Sequence, residues 1–234
     1  MTAAAFCPMT PLLFRHLSGG ADAAGDLRAA AVAAVHDATD GAEAVTVLVP
    51  VDGREAPAAW WDPSGRVAGG RPLGSQVGEH LLELAGCTLP ATYVACPGPV
   101  ESRLAGVESR PADVESRLAD VESRLAGASP IREAQLNEPG TALLVLGDGA
   151  ACRRDGAPGY IDDRSFAYDD AVAAALGSGD TGALAGLDEA LGAELLATGR
   201  LTWPVAAAVL APVSAELRYR DDPYGLSWFV ALWR

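Results

Sequence analysis

The sequence contains no lysine, so all 17 of its basic residues are arginine, and 31 acidic residues give a formal net charge of −14. A surface of this sign repels the phosphates of nucleic acids and of anionic lipids, so we expect neither class of partner. Aromatic residues make up only 6% of the chain, but 50% of its residues are hydrophobic. That is enough apolar material to build a buried core.

Long apolar runs are also missing, and none approaches the ~20 residues that a membrane-spanning helix requires. The amino terminus has no basic segment, and Pro8 and Pro11 interrupt its short apolar stretch, so we expect no signal peptide. The four cysteines are widely spaced and form no Cys-x-x-Cys pair, which favours reduced thiols. These features predict a cytoplasmic globular protein. The cysteines are Cys7, Cys87, Cys96 and Cys152.

Short β-like runs alternate with alanine-rich helical stretches along most of the chain. The strongest strands are Ala44–Val51 and Thr141–Leu146, which are continuous apolar runs typical of strands buried on both faces. Two β-like runs, 215–219 and 226–233, flank a segment of turn composition and predict a C-terminal antiparallel pair at one edge. We therefore expect one α/β domain over residues 1–234, with helices flanking a largely parallel, mixed sheet. Helices are predicted over 21–38, 77–84, 165–176, 181–187, 188–197 and 203–210.

Residues 100–127 break this alternation, because they are four tandem heptads: VESRLAG, VESRPAD, VESRLAD and VESRLAG. Val and Leu recur at spacings of four and three, which gives a helix one narrow apolar stripe. One interpretation is a short coiled-coil or docking helix. The other is a tandem expansion within a surface connection, which costs little closure entropy. Pro111 would kink or break the helix, which favours the expansion.

Three parts of the chain contain sequence motifs that are characteristic of a protein family rather than short generic motifs. Residues 7–13 read CPMTPLL; residues 146–154 read LGDGAACRR and are followed by APGYID and FAYD; residues 215–231 contain AELRY and PYGLSWFVA. Together these segments resemble the LigB-like branch of the class III extradiol dioxygenase superfamily, from end to end apart from the heptads. The resemblance implies a LigB/Memo-like α/β fold.

The resemblance also implies where an iron site would lie. Active members of that family hold a non-haem iron(II) with two histidines and one carboxylate, and a further histidine acts as acid or base. Met9 stands where the first histidine is expected, Pro50 to Asp52 where the second is expected, and Ala151-Cys152 in place of a Ser-His pair. None of the three histidines of the chain replaces these. We therefore expect no metal or other cofactor, with iron(II) only if the site has been rearranged. The histidines are His16, His36 and His80.

Open α/β sheets place ligands beyond the carboxyl ends of their strands. Asp52 follows one buried strand, and Asp148, Cys152 and Arg153 follow another, so we expect all four in one crevice. In a catalytic interpretation, the carboxylates exchange protons or bind a cation, Cys152 is a nucleophile, and Arg153 clamps an anionic ligand. In a structural interpretation, Asp148 caps a turn or the next helix, and Cys152 is a small side chain where a histidine was lost.

Four more residues are candidates for contacting a ligand. Trp60 and Trp61 form either one wall of an apolar pocket or a plug at the sheet edge. Glu216 and Tyr224 lie on or beside the terminal strands, where the family's carboxylate ligand would be sought. A solvated edge-strand carboxylate is the alternative for Glu216. We expect the other three tryptophans to be core residues: Trp203, Trp228 and Trp233.

Two classes of function, and a third structural role, follow from these observations. The first is a binding or accessory protein for a small molecule that has lost the iron site, as a monomer or a homodimer. The alternative is an enzyme: an extradiol ring-cleavage dioxygenase with a rearranged metal site acting on a catechol-like aromatic, or a metal-free catalyst in the same crevice. In the structural role, the heptad segment recruits a partner while the domain is a passive scaffold.

Overall fold

A computed structural model describes residues 3–18, 20, 22–51, 73–97, 136 and 138–234. Asp52, Trp60 and Trp61, together with the heptads at 100–127, lie outside the described residues.

The described residues contain a six-stranded mixed sheet that divides the domain into two layers of side chains. Its strands are β1 (Ala4–Cys7), β2 (Ala44–Val51), β3 (Ala91–Pro97), β4 (Thr141–Leu146), β5 (Ala215–Asp221) and β6 (Trp228–Trp233). Their order is β3-β2-β4-β1-β6-β5. The first four are parallel to one another, β6 is antiparallel to β1, and β5 is antiparallel to β6. The predicted α/β class and C-terminal antiparallel pair are confirmed.

Helices cover both faces of the sheet, and each face has its own buried cluster. Residues of α1 and α2 pack on one face with alternate residues of β1, β2, β4 and β6, and residues of the remaining helices pack on the other. Fully buried strands such as β4 and β6 therefore show no polar alternation, because both faces are covered. The helices are α1 (Gly25–Thr39), α2 (Leu73–Leu84), α3 (Arg164–Ser178), α4 (Thr181–Ala185), α5 (Glu189–Glu194) and α6 (Trp203–Val209).

The helix predicted over 188–197 is shorter in the structure, and this correction shapes the end of the sheet. Its N-cap is correct, since the Asp188 side chain accepts the Leu191 N–H at 2.9 Å. The helix ends at Glu194, because Leu196 adopts a left-handed φ of 59° and the Ala197 N–H bonds back to Gly192 O at 2.8 Å. A 3-10 turn (Thr198–Leu201) follows and packs beside the carboxyl end of β4.

Parallel pairing brings the segments after β1 and β4 together at one end of the sheet. Cys7 pairs with Leu146, and the Gly147 N–H continues the ladder to Cys7 O at 3.0 Å. Two residues further along each strand, the same register places Met9 beside Asp148. On the antiparallel side, β6 begins at this end with Trp228, so the loop between β5 and β6 lies here too. We call this region the strand-end crevice.

Candidate functional site

Asp148 is the buried carboxyl group of the strand-end crevice. Its Oδ1 accepts the backbone N–H of Met9 at 3.2 Å, across 139 residues of sequence. Its own backbone N–H donates to Thr198 Oγ1 at 2.8 Å, and its carbonyl accepts the Gly199 N–H at 3.0 Å. Asp148 thus joins the loop after β1 to the 3-10 turn at 198–201. It caps neither its own turn nor the next helix, which corrects the structural alternative derived from the sequence.

Burial makes this carboxyl a proton-exchanging group near neutral pH. Asp148 is 6% exposed, and no ion pair to it occurs among the described residues. Desolvation raises the pKa of Asp148 to about 7, against the opposing effect of the hydrogen bonds from Met9 and Thr198. A carboxyl in this state is able to donate or accept a proton at physiological pH.

Met9 shows what occupies the place of the first iron ligand implied by the family resemblance. The residue is 7% exposed and belongs to the buried cluster on the α1 and α2 face. Its sulfur lies so close to α2 that a Cβ on Gly74 would come within 2.9 Å of it. The thioether is therefore a packing group against the start of α2, and its backbone N–H carries the polar contact of this residue.

The loop that carries Met9 is held in place by Arg28 of α1. Arg28 Nε donates to Leu13 O at 2.7 Å, and Nη2 donates to Leu12 O at 3.2 Å. The same guanidinium pairs with Asp22 at 2.9 Å, and hydrogen bonds from Arg28 and Ser18 lower the pKa of Asp22 to about 2. Arg28 positions the crevice loop from behind, a role that the sequence analysis missed because the contacted groups are backbone carbonyls.

Cys152 does not have the surroundings of a nucleophile. Its side chain is 3% exposed, and its thiol contacts Leu195 O at 3.5 Å. Burial raises the pKa of the Cys152 thiol, and the negative charges of Asp162 and Asp169 raise it further. Its neighbour Arg153 pairs with Asp169 and Asp222 instead, so Arg153 does not stabilise the thiolate. Cys7 and Cys96 are likewise buried, so three of the four cysteines are small core residues.

Arg153 belongs to a polar cluster that the sequence did not predict. Its guanidinium pairs with the buried carboxylate of Asp169 at 3.1 Å and with Asp222, and it stacks on the Phe166 ring at 4.4 Å. Asp169 is 0% exposed and also accepts Ser227 Oγ at 2.5 Å and the Ala150 N–H at 3.0 Å. The cluster joins α3, the segment after β4 and the β5–β6 loop.

The remaining candidates separate into two groups. Tyr224 lies in the β5–β6 loop at the strand-end crevice, 46% exposed, with its ring 5.9 Å from that of Trp228. Glu216 is exposed on the edge strand β5, where it pairs with Arg218 at 2.9 Å. Its backbone neighbour Leu232 pairs with Ala5 near the amino end of β1, so Glu216 lies towards the other end of the sheet. The three core tryptophans are at most 1% exposed, as predicted.

The three histidines lie within the described residues, but none of them is among the residues that bond to Asp148 in the strand-end crevice. His36 is in α1 and His80 is in α2, as predicted. The Phe14 ring lies 4.6 Å from the His80 ring and 5.9 Å from the His16 ring. Burial lowers the pKa of His80. In the part of the chain that the structure describes, no group of three or more His, Cys, Asp or Glu side chains has the arrangement of a metal site.

Comparison with known proteins does not assign the chain to a family. No family model matches the chain, and no curated protein matches it either. Over the described ranges, no helix has the length and apolar character needed to cross a membrane. The fold and the site define an α/β domain with a mixed six-stranded sheet. The buried, protonatable side chain of Asp148 lies where the central strands of this sheet end.

Proposed function

We propose that this chain is a LigB-like domain without an iron site, which binds a small molecule in the strand-end crevice. The observation that carries the proposal is the packing of Met9. At the position where the family resemblance implies the first iron ligand, a thioether is buried against α2 and Val49, and a soft thioether is a poor partner for ferrous iron.

The chemistry of the other inherited positions agrees with this proposal. Cys152, at the place of the acid/base histidine, has a raised thiol pKa and is enclosed by Leu195 and by Gly159, whose added Cβ would come within 2.4 Å of the sulfur. All three histidines of the chain are placed elsewhere. The residues therefore do not fit a two-histidine, one-carboxylate iron centre.

In this proposal Asp148 is the polar anchor of the ligand. Ligand sites are mostly apolar with a few fixed polar groups that set orientation. Asp148 is held in place by the Met9 N–H, which donates to its side chain, and by the Gly199 N–H, which donates to its carbonyl. Because its pKa is about 7, Asp148 offers a hydrogen-bond donor below neutral pH and an acceptor above it.

The pKa of Asp148 also supports a second candidate function, that of a metal-free acid–base catalyst in the same crevice. A general acid or base works best when its pKa lies near the operating pH, and Asp148 meets that condition. The two candidates differ in what the Asp148→Asn variant does. A binding domain retains the ligand with altered pH dependence, whereas a catalyst also loses turnover.

The test of the leading proposal is metal content, measured by elemental analysis on protein that has been purified anaerobically and supplied with iron(II). We expect far less than one iron per chain, both in the natural chain and in a Met9→Ala variant. Near-stoichiometric iron in the natural chain would overturn the proposal and revive the dioxygenase with a rearranged site. Oxygen uptake with catechols would then be the next measurement.

A further inference from the structure

A cavity that Asp148 does not line lies beside the β5–β6 loop. It has a volume of about 250 Å³, and the described residues that line it have charged or hydroxyl side chains. This is smaller than the ~300–1,000 Å³ of pockets that enclose drug-sized ligands, so its occupant must be small. The lining residues are Arg153, Arg220, Asp221, Asp222 and Ser227.

Arg153 is fixed in position before any ligand arrives. Two of its nitrogens are engaged, Nε by Asp222 and Nη1 by Asp169 and by Ser165 O at 3.4 Å. Phe166 supports the guanidinium plane from one side. Its third nitrogen, Nη2, makes no hydrogen bond with a described residue. A guanidinium held in this way loses little side-chain entropy when a carboxylate binds to its open edge.

Arg220 supplies a second cation and Asp221 an anion in the same cavity. Arg220 pairs through Nη2 with Asp170. The Arg220 side chain is 37% exposed and that of Asp170 is 67% exposed, so water competes for this ion pair and it exchanges at little cost. Asp221 accepts the Asp222 N–H at 2.8 Å and the Tyr219 hydroxyl at 3.5 Å, and it is exposed. The cavity therefore presents donors and an acceptor of opposite charge.

The balance of charge selects the class of ligand. Two guanidiniums and two carboxylates line the cavity, so a simple anion would leave the acidic groups unused, and a simple cation would leave the arginine donors unused. We propose that the cavity binds a small zwitterion of the α-amino acid type. Its carboxylate bonds to Arg153 and Arg220, and its ammonium group bonds to Asp221.

This site does not depend on the function proposed for the strand-end crevice, because Asp148 does not line the cavity. The experiment is isothermal titration calorimetry with glycine, alanine, serine and glutamate at millimolar concentrations. Acetate and methylammonium serve as probes that carry one charge each. The matched variants are Arg220→Gln and Asp221→Asn, both at exposed positions, with Arg164→Gln as the control at an exposed arginine outside the cavity.

We expect saturable binding of at least one amino acid, and binding of acetate and methylammonium that is weaker by about tenfold or more. Arg220→Gln and Asp221→Asn should each weaken the amino acid by roughly tenfold to a hundredfold, as expected for loss of a hydrogen bond to a charged group. Arg164→Gln should leave affinity unchanged. Circular dichroism verifies that each variant is folded.

Three outcomes would overturn the proposal. The first is no saturable binding of any of the four amino acids, which would leave the charged cluster as a structural tie between α3 and the β5–β6 loop. The second is acetate or methylammonium binding as tightly as the amino acids, which would reveal a site for a single charge. The third is binding that both cavity variants leave intact, which would place the ligand elsewhere on the chain.

Discussion

Replacing Asp148 with Asn should make the protein more stable at alkaline pH and change its stability little at acidic pH. Asn has nearly the same shape, and its carbonyl oxygen still accepts the Met9 N–H, but it cannot ionise. In the natural chain, burial raises the pKa of Asp148 from 3.8 to about 7, so the native state holds a proton that the unfolded chain releases above pH 4. Stability contributed by the protonated form is therefore complete below pH 4 and is lost as the pH rises towards 7.

The magnitude follows from the size of the pKa shift. The difference between about 7 and 3.8 is about three units, and each unit corresponds to about 1.4 kcal/mol. The free energy of unfolding of the natural chain should thus fall, relative to Asp148→Asn, by an amount on the order of 4 kcal/mol between pH 4 and pH 8. This figure is an upper value, because the native site relaxes around the charge.

The assay is urea unfolding followed by tryptophan fluorescence at pH 4, 5, 6, 7 and 8, on both proteins and on Asp155→Asn as an exposed control. We expect the difference between Asp148→Asn and the natural chain to grow with pH and to level off above pH 7. A difference that stays constant across this range would refute the claim that Asp148 is protonated in the native state at neutral pH. The control should differ from the natural chain by a constant amount.

Three further predictions concern the groups around the crevice. Arg28→Met should lower the free energy of unfolding by about 2 kcal/mol in urea unfolding, because Leu12 O and Leu13 O lose a charged donor. The control is Arg15→Met, which should change the free energy of unfolding by less than about 0.5 kcal/mol, since the Arg15 side chain is 79% exposed. Equal effects of the two substitutions would contradict the proposed role of Arg28. Ser227→Ala should lower the free energy of unfolding by about 1–2 kcal/mol, because it removes a hydrogen-bond donor to the buried Asp169. The control, Ser178→Ala at an exposed position, should leave the free energy of unfolding nearly unchanged. If Ser227→Ala also left it unchanged, Asp169 would be satisfied without the Ser227 hydroxyl. In the native protein only Cys87 of the four cysteines should react readily with Ellman's reagent at pH 8, because the other three are buried. Fast labelling of Cys152 would contradict its description as a buried thiol with a raised pKa.

Local sequence patterns predicted the elements of this fold well. Continuous apolar runs identified β2 and β4 as strands buried on both faces, since parallel strands covered by helices lose polar alternation. The turn composition between the last two apolar runs predicted the antiparallel pair at the sheet edge. Asp148 was also identified as a candidate, because ligands bind beyond the carboxyl ends of strands in open α/β sheets. These features depend on periodicity and on chain order, which are readable from sequence.

Only the tertiary structure decided what each polar group does, because partners distant in the chain determine its charge and orientation. Arg153 follows Cys152 directly, yet it points to Asp169 and Asp222, so it stabilises no thiolate. In the structural interpretation Asp148 caps its own turn or the next helix, but parallel pairing of β1 and β4 gives it the N–H of Met9. The sequence by itself determined the strands and the two covered faces of the sheet. Burial and long-range pairing, which sum contributions from many residues, raise the pKa of Asp148 at the sheet end to about 7.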